Sequence, residues 1–521
     1  MDIVLVGAPG SGTRALGRAL AQRRGADLVD VDALLPADPS LDATAPTLDA
    51  QPAAPERPRV FVADAALARP RLRRGLYHGR TVVWLDAPAP RLASRVRMGP
   101  HLVADAGPDL VAALEAHLAA MAPYYAAGVR LDATQSTAEL VDAVTRALER
   151  PAPAGTLVVR ADTPLGLLEL GEGIIARGIL DALTGLRGHR AVVLTERRVW
   201  AQVGDRIGAV LRESGMPFDV VLVPPGERAK TLGAQFRTLR ELATLRLSRT
   251  DPIVAVGDDR LCDAATFTAG VYLRGVPLVM VPTTSLGQID LAIGGKGSVN
   301  LDLGRNLAGT FHQPVGIVLD VDLLRDENPR QRRAALAEAL KYALLGDEAL
   351  FALLDDVARD RPGRALVGDD VLLELVERCA MGKLRVVLSD ERDLGGQRMA
   401  LNLGHTLSHA LEAATNYRML HGEAVAYGLR TALSIGVELG ETPAPVAARA
   451  ENVLDVLGLG TAPLAVDPGA LMTLLESDKK RQRGRLRWVL TSGSGFTIRG
   501  DVPEPVVARA VRSTLLGRPV R

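Results

Sequence analysis

Three histidines in the second half of the chain have the spacing of a metal site. The segment "LNLGHTLSHALE" places His405 and His409 four residues apart on one predicted helix, so that both side chains point the same way. The segment "MLHGEAVA" places His421 at the start of the next predicted helix. This pattern predicts a cluster of imidazole groups.

A carboxylate and a lysine accompany these histidines. Glu338 and Lys341 of "LAEALKY" lie on one face of another predicted helix. A catalytic zinc ion takes three protein ligands and keeps one open position, and Glu338, His405 and His421 would supply such a set. The alternative is that the histidines cap helices or satisfy core hydrogen bonds. The glutamate and lysine on a facing helix favour the metal site.

The N-terminus carries a second pattern that could do chemistry. In "MDIVLVGAPGSGTRALGRAL" an apolar strand leads into three glycines and then a helix, the outline of the phosphate-binding loop G-x-x-x-x-G-K-[ST]. Thr13 stands at the lysine position and Arg14 at the position of the magnesium-binding hydroxyl. The glycines would serve the strand–turn–helix packing without a lysine. The alternative is that Arg14 replaces the lost charge and supports a weak kinase.

The elements that position these residues change along the chain. Short apolar strands alternate with helical patterns over the first half, which predicts an α/β fold with parallel sheets. A Pro/Ala/Asp-rich stretch at 36–59 is predicted to be a loop, and "ERPAPAGT" a linker. After about residue 330 the 3.6-residue period dominates. We predict three domains, at 1–150, 157–325 and 326–521.

Composition narrows the class of protein. The 521 residues include 62 Lys and Arg against 61 Asp and Glu, a net charge of +1, which gives no electrostatic reason to expect nucleic acid or a membrane surface as partner. Two cysteines cannot form a disulfide framework or a four-cysteine zinc site. With no signal-peptide or membrane-spanning pattern, a cytoplasmic protein is expected.

Longer motifs identify a family. The segments "PTTSLGQIDLAIGGKGSVNLDLGRNLAGTFHQP", "ALAEALKY", "LNLGHTLSHALEA" and "LHGEAVAYG" occur in an order that resembles 3-dehydroquinate synthase, from about Leu157 to the C-terminus. The first 150 residues resemble shikimate kinase through the glycine loop, "VDVD", "VVWLDAPAPRLASRV" and "APYY". The expected architecture is a P-loop kinase-like domain, then a nucleotide-binding α/β domain, then an all-helical metal-binding domain.

The resemblance implies a reaction. That family converts 3-deoxy-D-arabino-heptulosonate 7-phosphate to 3-dehydroquinate and phosphate, with bound NAD and zinc, or another divalent metal such as cobalt. The redox change is zero overall, because a ring hydroxyl is oxidised, phosphate is eliminated, and the ketone is reduced again before ring opening and aldol closure. The expected partner is a phosphorylated sugar acid, and a homodimer is possible by resemblance.

The resemblance also implies functional residues. Glu338, His405 and His421 match the family's metal ligands. The positions matching its substrate-binding and catalytic residues are Arg274, Lys296, Asn306, Lys341, Lys383, Arg398, Asn402 and His409. Asp290 matches an acidic residue near the site, and Lys479 or Lys480 a late lysine motif. Taken singly, several of these have plain structural roles, such as a solvated helix lysine or an asparagine in a turn.

The cofactor positions match in part. The residues retained are Gly226, Glu227, Lys230, Gly257, Asp263, Thr283, Thr284, Lys296 and Arg305, the last standing where a lysine is usual. Asp258 and Asp259 replace two glycines of the family's G-G-G-x-x-x-D loop. Glycines there allow backbone N–H groups to approach the pyrophosphate, and two carboxylates are expected to repel it.

The kinase-like part departs further. Asp30 and Asp32 match the family's magnesium and shikimate positions, but "VADAAL" replaces a run of glycines, and Gly99 stands where a lid arginine is expected. Together with Thr13 and Arg14, these changes predict a retained fold without phosphoryl transfer.

Two alternatives to the synthase stay open. The chain could be a non-catalytic paralogue that regulates or scaffolds, or another enzyme on the same scaffold. Among such enzymes, Lys296, Lys341 and Arg398 disfavour a polyol dehydrogenase, because they suit a phosphate group, but they do not distinguish among sugar-phosphate cyclases.

Overall fold

The computed structural model describes residues 2–35, 57–96, 109–149, 155–302, 304–360, 369–481 and 486–517. Most of the predicted loop at 36–59, Gly99, and the linker residues 150–154 lie outside these ranges. The side chains of Lys479 and Lys480 also lie outside the described part.

The N-terminal part forms a five-stranded parallel sheet in the order β2-β3-β1-β4-β5. Its elements are β1 (Ile3–Val6), α1 (Thr13–Arg24), β2 (Asp27–Asp30), β3 (Arg59–Ala63), α2 (Pro70–Tyr77), β4 (Thr81–Asp86), α3 (Ala89–Arg95), α4 (Leu110–Tyr125), β5 (Val129–Asp132) and α5 (Thr137–Leu148). The central strand β1 is buried along its whole length, as expected for a parallel strand covered on both faces.

The turn between β1 and α1 depends on glycine. Gly10 and Gly12 have φ values of +85° and +94°, in the left-handed region that favours glycine. A Cβ atom on Gly10 would also lie 2.7 Å from the carbonyl oxygen of Leu92. The conformation and packing of this turn therefore require these glycines even without a bound phosphate.

A second sheet of seven strands follows, in the order β6-β7-β14-β11-β10-β8-β9. Its elements, in chain order, are β6 (Thr156–Thr163), β7 (Gly166–Glu172), α6 (Ile175–Leu183), β8 (Ala191–Thr195), α7 (Arg197–Glu213), β9 (Phe218–Leu222), α8 (Leu232–Thr244), β10 (Ile253–Gly257), α9 (Asp259–Val271), β11 (Leu278–Pro282), and, after a hairpin of β12 (Lys296–Leu301) and β13 (Gly304–Phe311), β14 (Gly316–Asp320). The β6–β7 pair is antiparallel and the other pairs are parallel.

The expectation of an α/β fold with parallel sheets is confirmed. Among the short apolar runs expected to be strands, "AVVLT", "FDVVLVP", "PIVAVGDD" and "PLVMVPTT" contain β8, β9, β10 and β11. The β6–β7 and β12–β13 hairpins were not predicted. The β12–β13 hairpin carries many polar and glycine residues, which give no apolar alternation, and Gly297 packs directly against the backbone of α9.

The rest of the chain is mostly helical. It comprises α10 (Pro329–Leu344), α11 (Glu348–Asp360), α12 (Asp369–Ser389), α13 (His405–Ala414), α14 (His421–Glu438), α15 (Ala444–Val456), α16 (Pro468–Arg481), β15 (Trp488–Thr491), β16 (Phe496–Arg499) and α17 (Glu504–Leu516). Helix α14 packs against α10, α13 and α17, so it forms the centre of this part. The β15–β16 hairpin is an addition to the predicted helical pattern.

The N-terminal part packs directly on the rest of the chain. Helix α2 lies against α12, and α4 lies against β6. Arg73 of α2 is completely buried in this contact and forms an ion pair with Glu377 of α12. Arg74 makes two hydrogen bonds, of 2.7 and 2.8 Å, to the carboxylate of Glu172 at the end of β7.

Both cysteines lie in the interior. Cys262 in α9 and Cys379 in α12 have no exposed surface, and burial raises the pKa of each thiol well above its usual value. Among the described helices, we find none with the length and apolar character needed to cross a membrane.

Candidate metal centre and cofactor cleft

The three predicted metal ligands converge. Glu338, in the middle of α10, is completely buried, and His405 and His421 are the first residues of α13 and α14. Oε1 of Glu338 lies 3.2 Å from Nε2 of His405 and 3.1 Å from Nε2 of His421. One potential ligand atom from each residue lies within 4.8 Å of the others. The arrangement can hold one divalent ion between a carboxylate and two imidazoles.

The other imidazole nitrogens orient the rings. Nδ1 of His405 lies 3.1 Å from the carbonyl oxygen of Leu403, and Nδ1 of His421 lies 3.3 Å from a carboxylate oxygen of Glu412. Because those oxygens only accept hydrogen bonds, each Nδ1 carries a hydrogen, and each Nε2 would be free to offer its lone pair to a bound metal ion. Such partners for the second nitrogen are typical of histidines that bind metals.

The electrostatics of Glu338 also suit a cation. Although burial opposes ionisation, Lys341 and His405 hold the pKa of this carboxyl well below its ordinary value. Its Oε1 atom is buried between the Nε2 atoms of His405 and His421. A buried, ionised carboxylate that faces two imidazole nitrogens can share one divalent ion with them.

Close backbone contacts bring the three helices together. A Cβ atom on Gly422 would lie 1.9 Å from the carbonyl oxygen of Ala334 in α10. A Cβ atom on Gly428 would lie 1.8 Å from the carbonyl oxygen of Gly404, which precedes His405. Only glycine allows these approaches, and each one sets a metal ligand beside its neighbour.

A line of buried charges leads away from the metal ligands. Nζ of Lys341 lies 2.7 Å from Oε2 of Glu338 and 3.3 Å from Oδ1 of Asp290. Nζ of Lys383 lies 2.9 Å from Oδ2 of Asp290 and donates to its backbone carbonyl at 2.6 Å. The hydroxyl of Tyr342 donates to Oδ1 of Asp290 at 2.5 Å. Asp290 thus fixes two buried lysines at once.

The pKa values follow from this arrangement. Burial opposes the charge on Asp290, but Lys341 and Lys383 lower the pKa of its carboxyl far below the ordinary value. Burial lowers the pKa of Lys383 to about 8, even though Asp290 favours the charged form. The pKa of Lys341 is raised, because its two carboxylate neighbours outweigh burial.

A cleft of about 530 Å³ lies between the metal ligands and the seven-stranded sheet. On one side it is lined by His409, Glu412 and His421. On the other it is lined by Lys230, Asp259, Arg260, Asp263, Arg305 and Asn306, among others. His409 is open to the cleft, but the surrounding walls and the two neighbouring imidazoles lower its pKa to about 4.

Several predicted cofactor residues meet in this cleft. Lys230 forms an ion pair with Asp263 and donates to the side-chain oxygen of Asn306. Ser298 donates to Asp263 at 2.7 Å and to Asn306 at 2.9 Å. These contacts tie α9 to the β12–β13 hairpin and to the turn that begins at Gly226, whose φ is +63°.

Glu227 lies between two arginines of the cleft. Its Oε1 atom is 3.2 Å from Arg305 and 3.1 Å from Nε of Arg260. Arg305 also lies over the ring of Tyr417, with its guanidinium carbon 3.7 Å from the ring centroid. Both arginines of this part of the cleft are therefore paired with a carboxylate of the chain.

The segment that departs from the family's glycine loop is the turn from β10 into α9. Gly257 ends β10, and the backbone N–H of Thr283 donates to its carbonyl oxygen at 2.8 Å. Thr284 Oγ1 lies 3.5 Å from Asp259. Asp258 accepts a hydrogen bond of 2.8 Å from the backbone N–H of Leu261, so it caps the helix.

Two predicted phosphate-binding residues lie near each other but away from the cleft lining. Lys296 and Arg398 each lie 5.9 Å from the centre of the Phe311 ring. Lys296 is half exposed and donates to Asp393 at 2.8 Å, whereas Arg398 is buried and donates to the carbonyl oxygens of Glu391 and Gly294.

The last two predicted substrate-binding residues, Asn402 and Arg274, lie in two different turns. Asn402 is partly buried in the turn that leads to α13. Arg274 is exposed in the turn after α9. Since the 13 residues of α9 separate Arg274 from the Asp259 end of the cleft, the distance along the helix is about 20 Å. Arg274 therefore lies at the opposite end of α9 from Asp259, and its role in substrate binding stays a prediction.

Four residues of the site were not predicted: Arg260, Tyr342, Glu412 and Tyr417. Two of them had a signal in the sequence. Tyr342 is four residues after Glu338, and Glu412 is seven after His405, so each lies on the same helix face as a metal ligand. Arg260 is the second residue of α9 and Tyr417 lies after the end of α13, so neither belongs to a helical repeat that includes a metal ligand.

Comparison with known proteins agrees with this geometry. The family described as 3-dehydroquinate synthase N-terminal matches residues 220–334, and the one described as 3-dehydroquinate synthase C-terminal matches residues 335–481. A 3-dehydroquinate synthase of Nitrobacter winogradskyi is 37% identical over 375 residues, which covers 68% of this chain and 97% of that protein.

Two solved structures share the fold of this part. The 2-epi-5-epi-valiolone synthase of Streptomyces hygroscopicus, with NAD+ and Zn2+ bound, is 25% identical with a TM-score of 0.60, covering 67% of this chain and 96% of that one. A 2-deoxy-scyllo-inosose synthase complexed with carbaglucose-6-phosphate, NAD+ and Co2+ is 24% identical with a TM-score of 0.59, at the same coverage.

Proposed function

This chain belongs to the 3-dehydroquinate synthase family, and from that premise we propose that it converts 3-deoxy-D-arabino-heptulosonate 7-phosphate to 3-dehydroquinate and inorganic phosphate. The observation that carries the proposal is the convergence of Glu338, His405 and His421 beside a cleft whose lining includes Lys230, Arg260 and Arg305 together with four carboxylates. A metal centre next to a cleft that contains cationic side chains suits a substrate that has both a ring hydroxyl to be oxidised and a phosphate to be lost.

Two cofactors follow from the family and from the site. Glu338, His405 and His421 would hold a divalent zinc or cobalt ion, which polarises a coordinated hydroxyl when it is bound. The carboxyl ends of β10 and β11, with the turn at Gly226–Lys230, would hold NAD, which supplies reversible hydride transfer when it is bound. The relatives with NAD+ and a divalent metal support both assignments.

The chain's own cations would bind the anionic substrate. Loss of phosphate develops negative charge on the leaving oxygen, and fixed positive groups stabilise that charge. Arg305 lines the cleft, and we propose that it, Lys296 and Arg398 share contacts to the substrate with the polar groups of Asn306 and Asn402. His409, open to the cleft beside the metal ligands, can exchange a hydrogen bond with the leaving phosphate.

Lys341, Lys383 and Asp290 would hold the reacting end of the substrate. The two lysines are fixed on opposite oxygens of one carboxylate, and Lys341 also contacts the metal ligand Glu338. This arrangement keeps their ammonium groups in place before the substrate arrives, so little reorganisation is needed during the reaction.

One assay tests the function. Purified full-length chain is supplied with zinc, NAD and the heptulosonate phosphate, phosphate release is followed, and the organic product is identified by mass spectrometry. We expect stoichiometric release of phosphate with 3-dehydroquinate. Absence of release under every cofactor condition would favour the non-catalytic paralogue, and a different carbocyclic product from another sugar phosphate would favour another cyclase.

For the N-terminal part we propose a P-loop kinase-like fold without phosphoryl transfer. The parallel order β2-β3-β1-β4-β5 with a glycine turn after β1 supports the fold. The groups expected to meet ligands are engaged within the protein. Arg14 forms an ion pair of 2.6 Å with Asp30, and Asp32 accepts backbone hydrogen bonds from Asp64 and Ala66.

A carboxylate also fills the place of the expected glycine run. Asp64 accepts hydrogen bonds from the hydroxyl of Tyr125 and from Nε2 of His117. The Asp64 carboxylate is therefore already hydrogen-bonded within the N-terminal part of the chain. We expect no consumption of ATP that depends on shikimate, and such consumption by the full-length chain would contradict the proposal.

The division into domains at 1–150, 157–325 and 326–521 is likewise proposed. It is supported by the position of the two large sheets on either side of residue 150, and by the start of the helical part at α10. Limited proteolysis of the full-length chain, with mass spectrometry of the fragments, tests the boundaries.

A further inference from the structure

The turn from β10 into α9 carries a carboxylate where a dinucleotide places its diphosphate. In sheets of this kind, the N–H groups that begin a helix after a parallel strand bind the phosphate groups of a nucleotide. Here the first of these positions belongs to Asp258, whose Oδ1 accepts the N–H of Leu261 at 2.8 Å. The start of the helix is therefore satisfied by an anion that belongs to the chain itself.

We propose that the Asp258 carboxylate competes with the diphosphate of the cofactor for the start of α9, so that the dinucleotide binds together with one proton taken up by Asp258. The inference rests on the proposed function only in taking the cofactor to be a dinucleotide. It adds that the affinity of this chain for its cofactor depends on pH.

The surroundings of Asp258 favour this behaviour. Asp259 is adjacent and buried, and Glu196 at the start of α7 faces the same turn. Arg260 is the nearest cation, with Nη1 3.6 Å from Asp258 and 3.3 Å from Asp259. It also contacts Glu227 at 3.1 Å, so one guanidinium serves three carboxylates. The turn has an excess of negative charge before any phosphate arrives.

The other titratable groups around the turn do not remove this excess. Cys262 is buried, and its thiol pKa is raised, so it stays neutral. Asp263, one helical turn further along α9, is paired with Lys230. Glu327 adds another carboxylate towards Asp259, and its cation Arg332 lies 3.9 Å away.

The excess of negative charge affects the pKa of Asp258. Burial and the neighbouring Asp259 raise its pKa to about 7, against the lowering effects of the cap and of Arg260. A diphosphate beside it would raise this pKa further. Below pH 7 the carboxyl is already protonated in the free chain, and the affinity does not change with pH. Above pH 7 each bound dinucleotide must bring a proton, so the dissociation constant rises by up to about tenfold per pH unit.

The test is calorimetric titration of the full-length chain with NAD, from pH 6 to pH 9, in buffers of different ionisation enthalpy. The dependence of the binding enthalpy on the buffer counts protons directly and does not involve turnover. We expect almost no proton uptake at pH 6 and close to one proton at pH 8. Equal enthalpies in all buffers at pH 8 would overturn the inference.

Three variants locate the effect. Asp258→Gly removes the carboxylate and opens the N–H groups, and it should bind NAD at least about tenfold more tightly than the wild type at pH 8, without pH dependence. Asp258→Asn keeps a side chain that can cap α9, so it should fold like the wild type while losing the pH dependence. Asp205→Asn, at an exposed position of α7, is the control and should behave like the wild type.

The outcomes separate this inference from the proposed function. Phosphate release together with pH-independent NAD binding would overturn the inference and leave the function intact. Failure of every variant to bind NAD at any pH would overturn both.

Discussion

Arg73 and Glu377 are 304 positions apart in the sequence and form an ion pair in which neither side chain meets solvent appreciably. The Arg73 guanidinium also donates to the carbonyl oxygen of Leu67 and lies 4.0 Å from the centre of the Tyr124 ring. These contacts join the N-terminal sheet to α12, the helix that carries Lys383. The N-terminal part thus packs on the rest of the chain through buried contacts and is more than a tethered neighbour.

The first prediction concerns this ion pair. Arg73→Met should lower the free energy of unfolding by about 3–5 kcal/mol, because it leaves the Glu377 carboxylate buried without a partner. The double variant Arg73→Met with Glu377→Leu should recover most of the lost free energy of unfolding, because no buried charge is then left without a partner. Urea denaturation of the full-length chain measures both.

A surface pair provides the control for that measurement. Arg23 and Asp142 form an ion pair of 2.7 Å in which both side chains are 54% exposed. Arg23→Met should cost less than about 1 kcal/mol. If Arg73→Met were no more harmful than Arg23→Met, the buried pair would not hold the two parts together.

The second prediction concerns the metal. His405→Ala should lower the metal content of the purified chain and reduce phosphate release by at least about 100-fold, because a ligand is lost. Metal content is measured by mass spectrometry of the digested protein. A chelator should abolish the activity of the wild type, and zinc or cobalt should restore it.

An exposed histidine serves as the comparison. His189, which lies before β8, has no part in the metal centre, and His189→Ala should keep both metal and activity. Full metal content in His405→Ala would show that the ion binds through other groups.

The third prediction concerns Lys383 and pH. Because burial lowers its pKa to about 8, the ammonium is charged below pH 8 and loses its charge as the pH rises through that value. The KM for the phosphorylated substrate should therefore rise above pH 8. Lys383→Arg, which stays charged, should move this rise to higher pH. An unchanged pH profile in Lys383→Arg would exclude Lys383 as its source.

The same titration of Lys383 weakens substrate binding at high pH but should increase the stability of the fold. Its pKa in the folded chain is below the ordinary lysine value of 10.5, so between pH 8 and 10.5 the unfolded chain binds more protons than the folded one. Its contribution to the free energy of unfolding therefore becomes more favourable as the pH rises through that window. Denaturation of the wild type and of Lys383→Met across this range measures the difference.

The fourth prediction concerns Tyr342. Tyr342→Phe removes the hydroxyl that donates to Asp290, at a cost of about 1–3 kcal/mol in stability. Since Asp290 fixes Lys341 and Lys383, kcat should also fall. Tyr427→Phe is the matched control, because Tyr427 donates to the carbonyl oxygen of Ala462 at 2.7 Å, away from the catalytic groups. Equal kcat in the two variants would deny Asp290 a positioning role.

The sequence could predict those features that depend on residue spacing within a single helix or strand. His405 and His409 share a helix face, and Glu338 shares one with Lys341, so the metal site could be proposed from spacing. The buried strands β8 and β10 are continuous apolar runs, which is what a covered parallel sheet requires.

Contacts between segments that are distant in the sequence could not be predicted from residue spacing. The pairing of Arg73 with Glu377 depends on how two parts of the chain pack, and nothing in either local sequence predicts it. Asp258 was predicted only to repel a pyrophosphate. The structure adds that it caps α9, because an aspartate before a helix bonds to the helix N–H groups as readily as a ligand does.

The burial of both thiols has a practical consequence. Cys262 and Cys379 are shielded from solvent and resist ionisation, so maleimide reagents should leave the native chain unmodified while it stays folded. A single cysteine introduced on the surface could then carry a fluorophore without prior removal of the natural ones. Paired labels on α2 and α12 would allow energy-transfer measurements of the distance between the two halves during turnover.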